Sequence, residues 1–306
     1  MKQKKNPRFR FSGSIDMEII RRQVKRHRRS VLGQWTIRIV VAAMIVTGTY
    51  LVIENQTYTS VATADSHKKD TEDSNQYIAF SDGVIRYSRD GVVFLNKKNK
   101  EKWIQPCQIQ NPIVDVNEDV FAIADVGGNT IMIFQKSGLK GEIETTLPIE
   151  KISVSNQGIV SAILKNESTP QIISYDAVGN ILVEHQVNLN STGYPISLDM
   201  SADGENLMVS YLSTKNGTLK SMVAFYNFGK EGQEKTDNLI YTEDFEQTVV
   251  PDVFYMDAST SVAVGDRSFV IYEGTKSVKK KTEVKLNQEI RSEFHSDRYI
   301  GFIVTN

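Results

Sequence analysis

The chain has 306 residues, a net charge of −1 and one cysteine, Cys107. This length allows one to three domains. A single cysteine excludes an intrachain disulfide, a Cys-based zinc cage and an iron–sulfur cluster. No lipid-attachment motif surrounds Cys107, so we interpret it as an ordinary residue at the edge of a strand.

Charge is distributed unevenly and predicts a basic cytoplasmic tail over residues 1–34. This segment holds eleven Lys and Arg against two acids, a net +9, which leaves −10 for the rest of the chain. A weakly amphipathic basic helix in the tail can merely orient a membrane segment, contact anionic lipid headgroups, or bind nucleic acid. We favour these roles in that order and expect no nucleic-acid partner, because no DNA-binding motif is present. The charged residues of this helix are Arg21, Arg22, Lys25, Arg26, Arg28 and Arg29.

An apolar stretch over residues 35–53 predicts one transmembrane helix in the lipid bilayer of the plasma membrane. Ile39 to Ile53, with Ile45 at the centre, carry no charge, and a spanning helix needs ~20 mostly apolar residues. Trp35 and Tyr50 suit the two interfaces, and Arg38 is close enough to one end to extend to the headgroups. The basic flank predicts a cytoplasmic N-terminus and an extracytoplasmic body.

A cleaved signal peptide is the alternative interpretation of this stretch. Residues 62–64 read Ala-Thr-Ala, the form of a cleavage site. The basic region before the apolar run is far longer than a usual signal peptide has, and the Ala-Thr-Ala motif follows the run at a distance of nine residues. We therefore favour an uncleaved anchor over cleavage after Ala64.

Polar residues over 54–75 predict a flexible stalk, and the amino-acid composition changes again at residue 76. Short apolar, β-branched runs separated by turn residues predict strands throughout 76–306, the extracytoplasmic domain. The predicted strands are Val92–Leu95, Val120–Ala124, Ile131–Phe134, Ile159–Leu164, Gln171–Tyr175, Leu207–Tyr211, Ser221–Tyr226, Ser261–Val264 and Phe269–Tyr272.

Two units recur along this domain. One is a strand that ends in an aromatic residue before a polar turn, and its aromatic residues lie 40, 41, 51 and 46 positions apart: Phe94, Phe134, Tyr175, Tyr226 and Tyr272. The other consists of one residue flanked by two apolar residues, then a tight turn and a strand. It occurs at Val114–Val120, Ile152–Ile159, Leu198–Leu207 and Phe254–Val262. A period of ~40–50 residues is typical of propeller blades. The sequence therefore predicts an all-β fold, a β-propeller of about five blades, in preference to a β-sandwich.

The residues Ser201 to Leu207 read S-A-D-G-E-N-L, which resembles the S-x-D-G-x-x-L turn of WD40-like propellers. The stretch from Asp90-Gly91 to Lys102-Trp103 resembles the D-G…W pattern of quinoprotein-like propellers. The chain as a whole resembles an uncharacterised family of single-pass Firmicutes membrane proteins with a propeller-like extracytoplasmic domain. The segments that show this are 111–116, 125–129, 147–155 and 224–229. The resemblance implies topology and fold and brings no activity.

We also expect the propeller to be incomplete. About five blade periods fit between residue 76 and residue 306, and the last apolar run, Tyr299–Val304, reads as a strand just begun. Tyr77–Leu95 read as outer strands of a blade whose inner strands are missing. This interpretation predicts a piece of a longer protein.

No motif predicts chemistry. The sequence has no phosphate-binding loop, nucleophile elbow, zinc helix or calcium loop, so we name no catalytic, cofactor-binding or metal-binding residue and expect no cofactor. His185 and His295 are the only histidines of the body and are interpreted as exposed polar residues. The leading hypothesis is a membrane-anchored binding or scaffold module for an envelope protein or glycan. The alternative is a cell-envelope hydrolase or dehydrogenase with its site in the propeller mouth.

Overall fold

The computed structural model describes residues 17–54, 75–166, 169–215 and 217–305. The chain divides into two units, Met1–Asp70 and Thr71–Asn306. The first unit is described by one helix and the second by β-sheets.

Helix α1 runs without interruption over Met17–Glu54, 38 residues. At ~1.5 Å per residue it is about 57 Å long, against ~30 Å for the hydrocarbon core of a bilayer. The stretch Lys25–Ile53 is long and apolar enough to cross a membrane. The predicted tail helix and the predicted membrane helix are therefore consecutive parts of one helix from residue 17 onward. Residues 1–16 and most of the predicted stalk, 55–74, lie outside the described residues.

The second unit consists of five four-stranded antiparallel sheets and one two-stranded sheet, each formed by strands consecutive in sequence. Sheet 1 contains β1 (Gln76–Phe80), β2 (Gly83–Ser88), β3 (Gly91–Asn96) and β4 (Glu101–Pro106). Sheet 2 contains β5 (Pro112–Asn117), β6 (Val120–Asp125), β7 (Thr130–Gln135) and β8 (Gly138–Glu144). Sheet 3 contains β9 (Ile149–Val154), β10 (Val160–Leu164), β11 (Gln171–Tyr175) and β12 (Ile181–Gln186).

The later sheets follow the same plan. Sheet 4 contains β13 (Tyr194–Met200), β14 (Asn206–Lys215), β15 (Thr218–Asn227) and β16 (Leu239–Glu246). The short helix α2 (Lys230–Gln233) and a 3₁₀ turn (Thr236–Asn238) lie before β16. Sheet 5 contains β17 (Asp252–Tyr255), β18 (Thr260–Val264), β19 (Ser268–Glu273) and β20 (Lys279–Lys285). Sheet 6 contains β21 (Ile290–His295) and β22 (Ile300–Val304).

Tight turns join the strands, and their side chains satisfy the backbone as the sequence predicts. Asp176 Oδ1 accepts the N–H groups of Val178 and Asn180 at 3.0 and 2.8 Å. Asp203 Oδ1 accepts the N–H of Glu205 at 3.0 Å, and Gly204 takes the positive φ of 72° that this turn requires. These aspartates are turn residues and not members of a site.

The core lies between neighbouring sheets. Five aromatic rings pack between sheets 1 and 2, where Phe121 and Phe134 stack at 4.8 Å and Trp103 stacks on Phe134 at 5.3 Å. Similar apolar clusters join sheet 2 to 3, 3 to 4, and 4 to 5. The middle strands supply most of these residues, because a strand covered on both faces must be apolar on both.

The nine predicted strands are confirmed, and the repeated aromatic residues all lie within the last three residues of the third strand of a sheet. The interpretation of Tyr77–Leu95 as outer strands without inner partners is wrong: they form β1, β2 and most of β3 of a complete four-stranded sheet. Strands β1 and β22 belong to different sheets, so strands from the two ends of the domain do not pair, as expected. That the chain is a piece of a longer protein stays a prediction.

Candidate functional site

A concave pocket of about 400 Å³ lies where the first strands of sheets 2 to 6 converge. Strands β5, β9, β13 and β17 lie side by side in that order, as the inner strands of a propeller do. The volume is within the ~300–1,000 Å³ range of small-molecule sites. We call this feature the central pocket, and its polar lining residues include Asp115, Lys151, Ser197, Asp199, Asp252, Tyr255 and His295.

Five residues occupy corresponding positions in successive sheets, and all of them except Ser153 line this pocket. Each follows an apolar residue in the first strand of its sheet, and strand alternation turns it away from the inter-sheet core. In sheet 4, for example, Leu198 and Met200 are buried while Asp199 is partly open to the pocket. The corresponding residues in chain order are Asp115, Ser153, Asp199, Tyr255 and His295.

Three of these side chains join their own sheet to the next one. The carboxylates of Asp115 and Asp199 and the hydroxyl of Ser153 each accept a backbone N–H from the following first strand. The donors and distances are Val154 N to Asp115 Oδ2 at 2.6 Å, Met200 N to Ser153 Oγ at 2.9 Å, and Tyr255 N to Asp199 Oδ2 at 2.6 Å. Ser153 Oγ also donates to Asp199 Oδ1 at 2.7 Å. These side chains therefore have a structural role, and Asp115 and Asp199 also line the pocket.

The pocket concentrates negative charge in a poorly solvated space. Burial raises the pKa of Asp199 to about 7, with the neighbouring Asp115 carboxylate adding to the effect. Burial also raises the pKa values of Asp115 and Asp252. Asp252 accepts a hydrogen bond from Ser197 Oγ at 2.9 Å. Lys151 is the single Lys or Arg among the described residues that line the pocket.

His295 of β21 faces these carboxylates. Its ring stacks flat on Phe254, with centroids 3.7 Å apart and planes 2° from parallel. Its Nδ1 lies 3.1 Å from a carboxylate oxygen of Glu293. Burial alone lowers the pKa of His295, but the hydrogen bond and charge of Glu293, helped by Asp199 and Asp252, outweigh burial and raise it. The imidazole is thus held in a place that favours its protonated form.

His185 occupies a different place, a side pocket of about 650 Å³ between sheets 3 and 4. Its ring lies 4.8 Å from that of Tyr226, whose hydroxyl bonds to that of Tyr211 at 2.8 Å. Burial lowers the pKa of His185. His185 is half-buried and is therefore not the exposed residue that was predicted, whereas His295 is exposed as predicted but stacks on an aromatic ring at the central pocket.

The predicted anchor and tail residues all lie on α1. Trp35, Ile45, Tyr50 and Ile53 are about 60–70% exposed, although apolar side chains in water are normally covered. The guanidinium of Arg38 lies 5.7 Å from the centre of the Trp35 ring. Ile39 is equally exposed. Of the basic residues, Arg21, Lys25, Arg26 and Arg28 are exposed, and Arg22 and Arg29 lie on the same helix.

The residues of the central pocket were not predicted as a site. Cys107 follows β4 by one residue, and its pKa is raised by partial burial. Among the residues that the structure describes, no group of three His, Cys, Asp or Glu side chains has the geometry to hold a metal ion.

Solved structures resemble the domain at low identity. Kuenenia stuttgartiensis hydrazine synthase matches with 13% identity and a TM-score of 0.51, over 76% of this chain and 73% of that chain. The Neurospora crassa Pan2 WD40 domain matches with 13% identity and a TM-score of 0.49, over 72% and 68%. A chain of the yeast Nup82–Nup159–Nup116 nucleoporin complex matches with 9% identity and a TM-score of 0.49, over 78% and 82%. Such identities concern the fold alone, and the hydrazine synthase likeness agrees with a propeller built from the repeated sheets.

A sequence comparison covers a larger share of the chain than these structural matches do. No curated protein matches it. A family model matches residues 54–306, the whole of the β-sheet unit, and its description is a family of unknown function. The match covers most of the sequence, and the chain therefore belongs to that family, DUF5711.

Proposed function

We propose that this protein is a membrane-anchored extracytoplasmic binding module whose small polar ligand enters the central pocket. The observation that supports this most directly is the convergence of five first strands on one concave space lined by carboxylates, a lysine and a histidine. A few convergent polar groups in a well-formed pocket are the usual basis of ligand recognition. A scaffold role for an envelope protein or glycan uses the rim of the same propeller.

The membrane part of the proposal is supported by α1. Its apolar side chains are exposed over residues 35–53, and basic residues precede them. The excess of Lys and Arg favours a cytoplasmic N-terminus, with the propeller outside the plasma membrane. Anionic lipid headgroups attract the basic residues nearest the bilayer at about 1 kcal/mol each.

The topology is tested with single cysteines placed in a variant that lacks Cys107. Val178→Cys lies on a 75% exposed turn of sheet 3, and Lys25→Cys lies on the basic part of α1. In intact cells, a membrane-impermeant maleimide is expected to label Val178→Cys and not Lys25→Cys. Labelling in the reverse pattern would show that the orientation is wrong.

Binding is tested with a variant that removes charge and keeps shape. In Asp252→Asn, the side-chain oxygen can still accept from Ser197 and from the Val253 N–H, so the fold is expected to persist. Native mass spectrometry of the full chain in nanodiscs, incubated with a small-molecule extract of the cell envelope, should show adducts that the variant loses. Asp244→Asn, on the exposed face of β16, is the matched control. Equal amounts of adduct in the unmodified protein and in both variants would show that the central pocket is not the binding site.

An envelope enzyme is the second candidate, and one observation favours it. Asp199, with a pKa of about 7, lies in the same pocket as the Glu293–His295 pair, and groups tuned near neutrality are suited to general acid–base catalysis. Binding is preferred because Asp115 and Asp199 each use an oxygen to hold a neighbouring strand. Chemical conversion of an envelope compound that Asp199→Asn abolishes, with its binding intact, would reverse this preference.

A further inference from the structure

Sheet 6 is held to the propeller by a small contact. Its apolar residues Ile290, Ile300 and Phe302 are only partly buried against three fully buried residues of sheet 5, Phe254, Val262 and Val264. The clusters that join the other neighbouring sheets contain nine or more buried residues each. A polar contact at this junction therefore contributes a larger share of the local stability than it would elsewhere.

His295 is the polar side chain at that junction. It belongs to β21 and lies flat on Phe254 of sheet 5. A positively charged ring over an aromatic face is attracted to the negative face of that ring, and a neutral imidazole gains much less. The stacking geometry is therefore one whose strength depends on the charge of His295.

The charged groups around His295 also make the strength of this contact depend on the charge of the ring. Glu293 lies on its own strand, Asp252 on β17, Asp199 on β13 and Asp115 on β5. Four acidic side chains thus surround the ring. The opposing cation of the lining is Lys151 on β9, and Tyr255 and Tyr87 complete the polar wall. A protonated His295 offsets this negative charge, whereas a neutral one leaves the carboxylates to repel one another across the junction.

We propose that His295 is a pH-dependent latch: its protonated ring holds strand β21 against Phe254 and the carboxylates of the central pocket, and loss of the proton loosens sheet 6. The latch acts without any ligand, so it can be tested independently of the binding function. When sheet 6 loosens, one wall of the central pocket becomes mobile.

The direction follows from linkage. The pKa of His295 is higher in the folded protein than its ordinary value of 6.5, so its stabilising contribution is complete below pH 6.5 and is lost as the pH rises through the folded value. Asp199 acts in the same sense, because its pKa is raised to about 7 and its ionisation adds repulsion above that pH. The latch is therefore closed in mildly acidic conditions and open in alkaline ones.

Hydrogen exchange of the full chain in detergent, without ligand, tests the latch. Protection factors of the β21 and β22 amides, corrected for the intrinsic pH dependence of exchange, are compared at about pH 6 and about pH 8.5. We expect the protection of these amides to fall severalfold at the higher pH, because the stabilising charge of His295 is lost as the pH rises through its raised pKa. The amides of sheets 2 and 3 serve as an internal control and should keep their protection.

Two variants separate the latch from a general effect of pH. His295→Gln is neutral at both pH values and should show low protection of sheet 6 at both, while sheets 2 and 3 remain protected. His185→Gln, in the side pocket, should behave as the unmodified protein does. Equal protection of sheet 6 at the two pH values in the unmodified protein, or a pH dependence of undiminished size in His295→Gln, would overturn the proposal.

Discussion

Replacement of Ser153 by alanine is expected to weaken the junction between sheets 3 and 4 out of proportion to its size. Ser153 is 1% exposed, and its hydroxyl makes two hydrogen bonds that cross this junction. It accepts the N–H of Met200 at 2.9 Å and donates to Asp199 Oδ1 at 2.7 Å. Alanine removes both and adds no new contact.

The magnitude follows from the groups left behind. Met200 is fully buried, so its N–H loses its partner in a place that water does not reach, which costs ~1–3 kcal/mol. The lost bond to Asp199 adds ~1 kcal/mol when the carboxyl is neutral and up to ~3 kcal/mol when it is charged. We expect a loss of about 2–4 kcal/mol near pH 6 and of up to about 6 kcal/mol near pH 8. The difference arises because Asp199 ionises as the pH rises through about 7.

Urea denaturation followed by tryptophan fluorescence measures this loss, because Trp103 lies in the core between sheets 1 and 2. Ser161→Ala is the matched control: Ser161 is equally buried on the neighbouring strand β10, and its hydroxyl bonds only to that of Ser174 at 2.6 Å. It should cost about 1 kcal/mol at both pH values. If Ser153→Ala costs no more than Ser161→Ala, or costs the same at both pH values, the bonds across the junction do not have the role described.

Two further changes test the packing between sheets. Phe134→Ala removes a fully buried ring that stacks on Trp103, and a loss of ~3–5 kcal/mol in unfolding free energy is expected, with Phe134→Leu losing clearly less. Gly141→Ala would place a Cβ 1.7 Å from the backbone oxygen of Ala177 in sheet 3. The free energy of unfolding should therefore fall by at least about 2 kcal/mol, and the melting temperature should fall with it. Glu142→Ala, on the exposed face of the same strand, should change both quantities little. A neutral Gly141→Ala variant would mean that sheets 2 and 3 are not in this close contact.

The repeated elements of the fold were predictable because their sequences repeat. Middle strands such as Gln171–Tyr175 are apolar on both faces and end in an aromatic residue, so both their existence and their period can be read directly. Outer strands such as β4, β12 and β20 were missed. Their residues are mostly exposed, and those of Lys279–Lys285 are mostly charged as well, so that these strands resemble loops in sequence.

The central pocket was harder to predict. Asp115, Ser153 and Asp199 each lie within an apolar pair, and this pattern was recognised as a repeat. The signal that identifies Asp115 and Asp199 as pocket residues is their corresponding position in successive units, because equivalent positions of propeller blades face one axis. His295 could not be found in this way, since its neighbours Phe294 and Ser296 do not form an apolar pair. Its role depends on a stacking contact with a residue more than forty positions away.

The position of Asp199 has a consequence for cooperativity. Repeated structures in which each unit contacts only its neighbours tend to lose those units one at a time. Asp199 belongs to sheet 4, yet its two oxygens bind Ser153 of sheet 3 and the Tyr255 N–H of sheet 5. One side chain thus ties three successive units together in the middle of the array. We therefore expect these three sheets to unfold together as one unit.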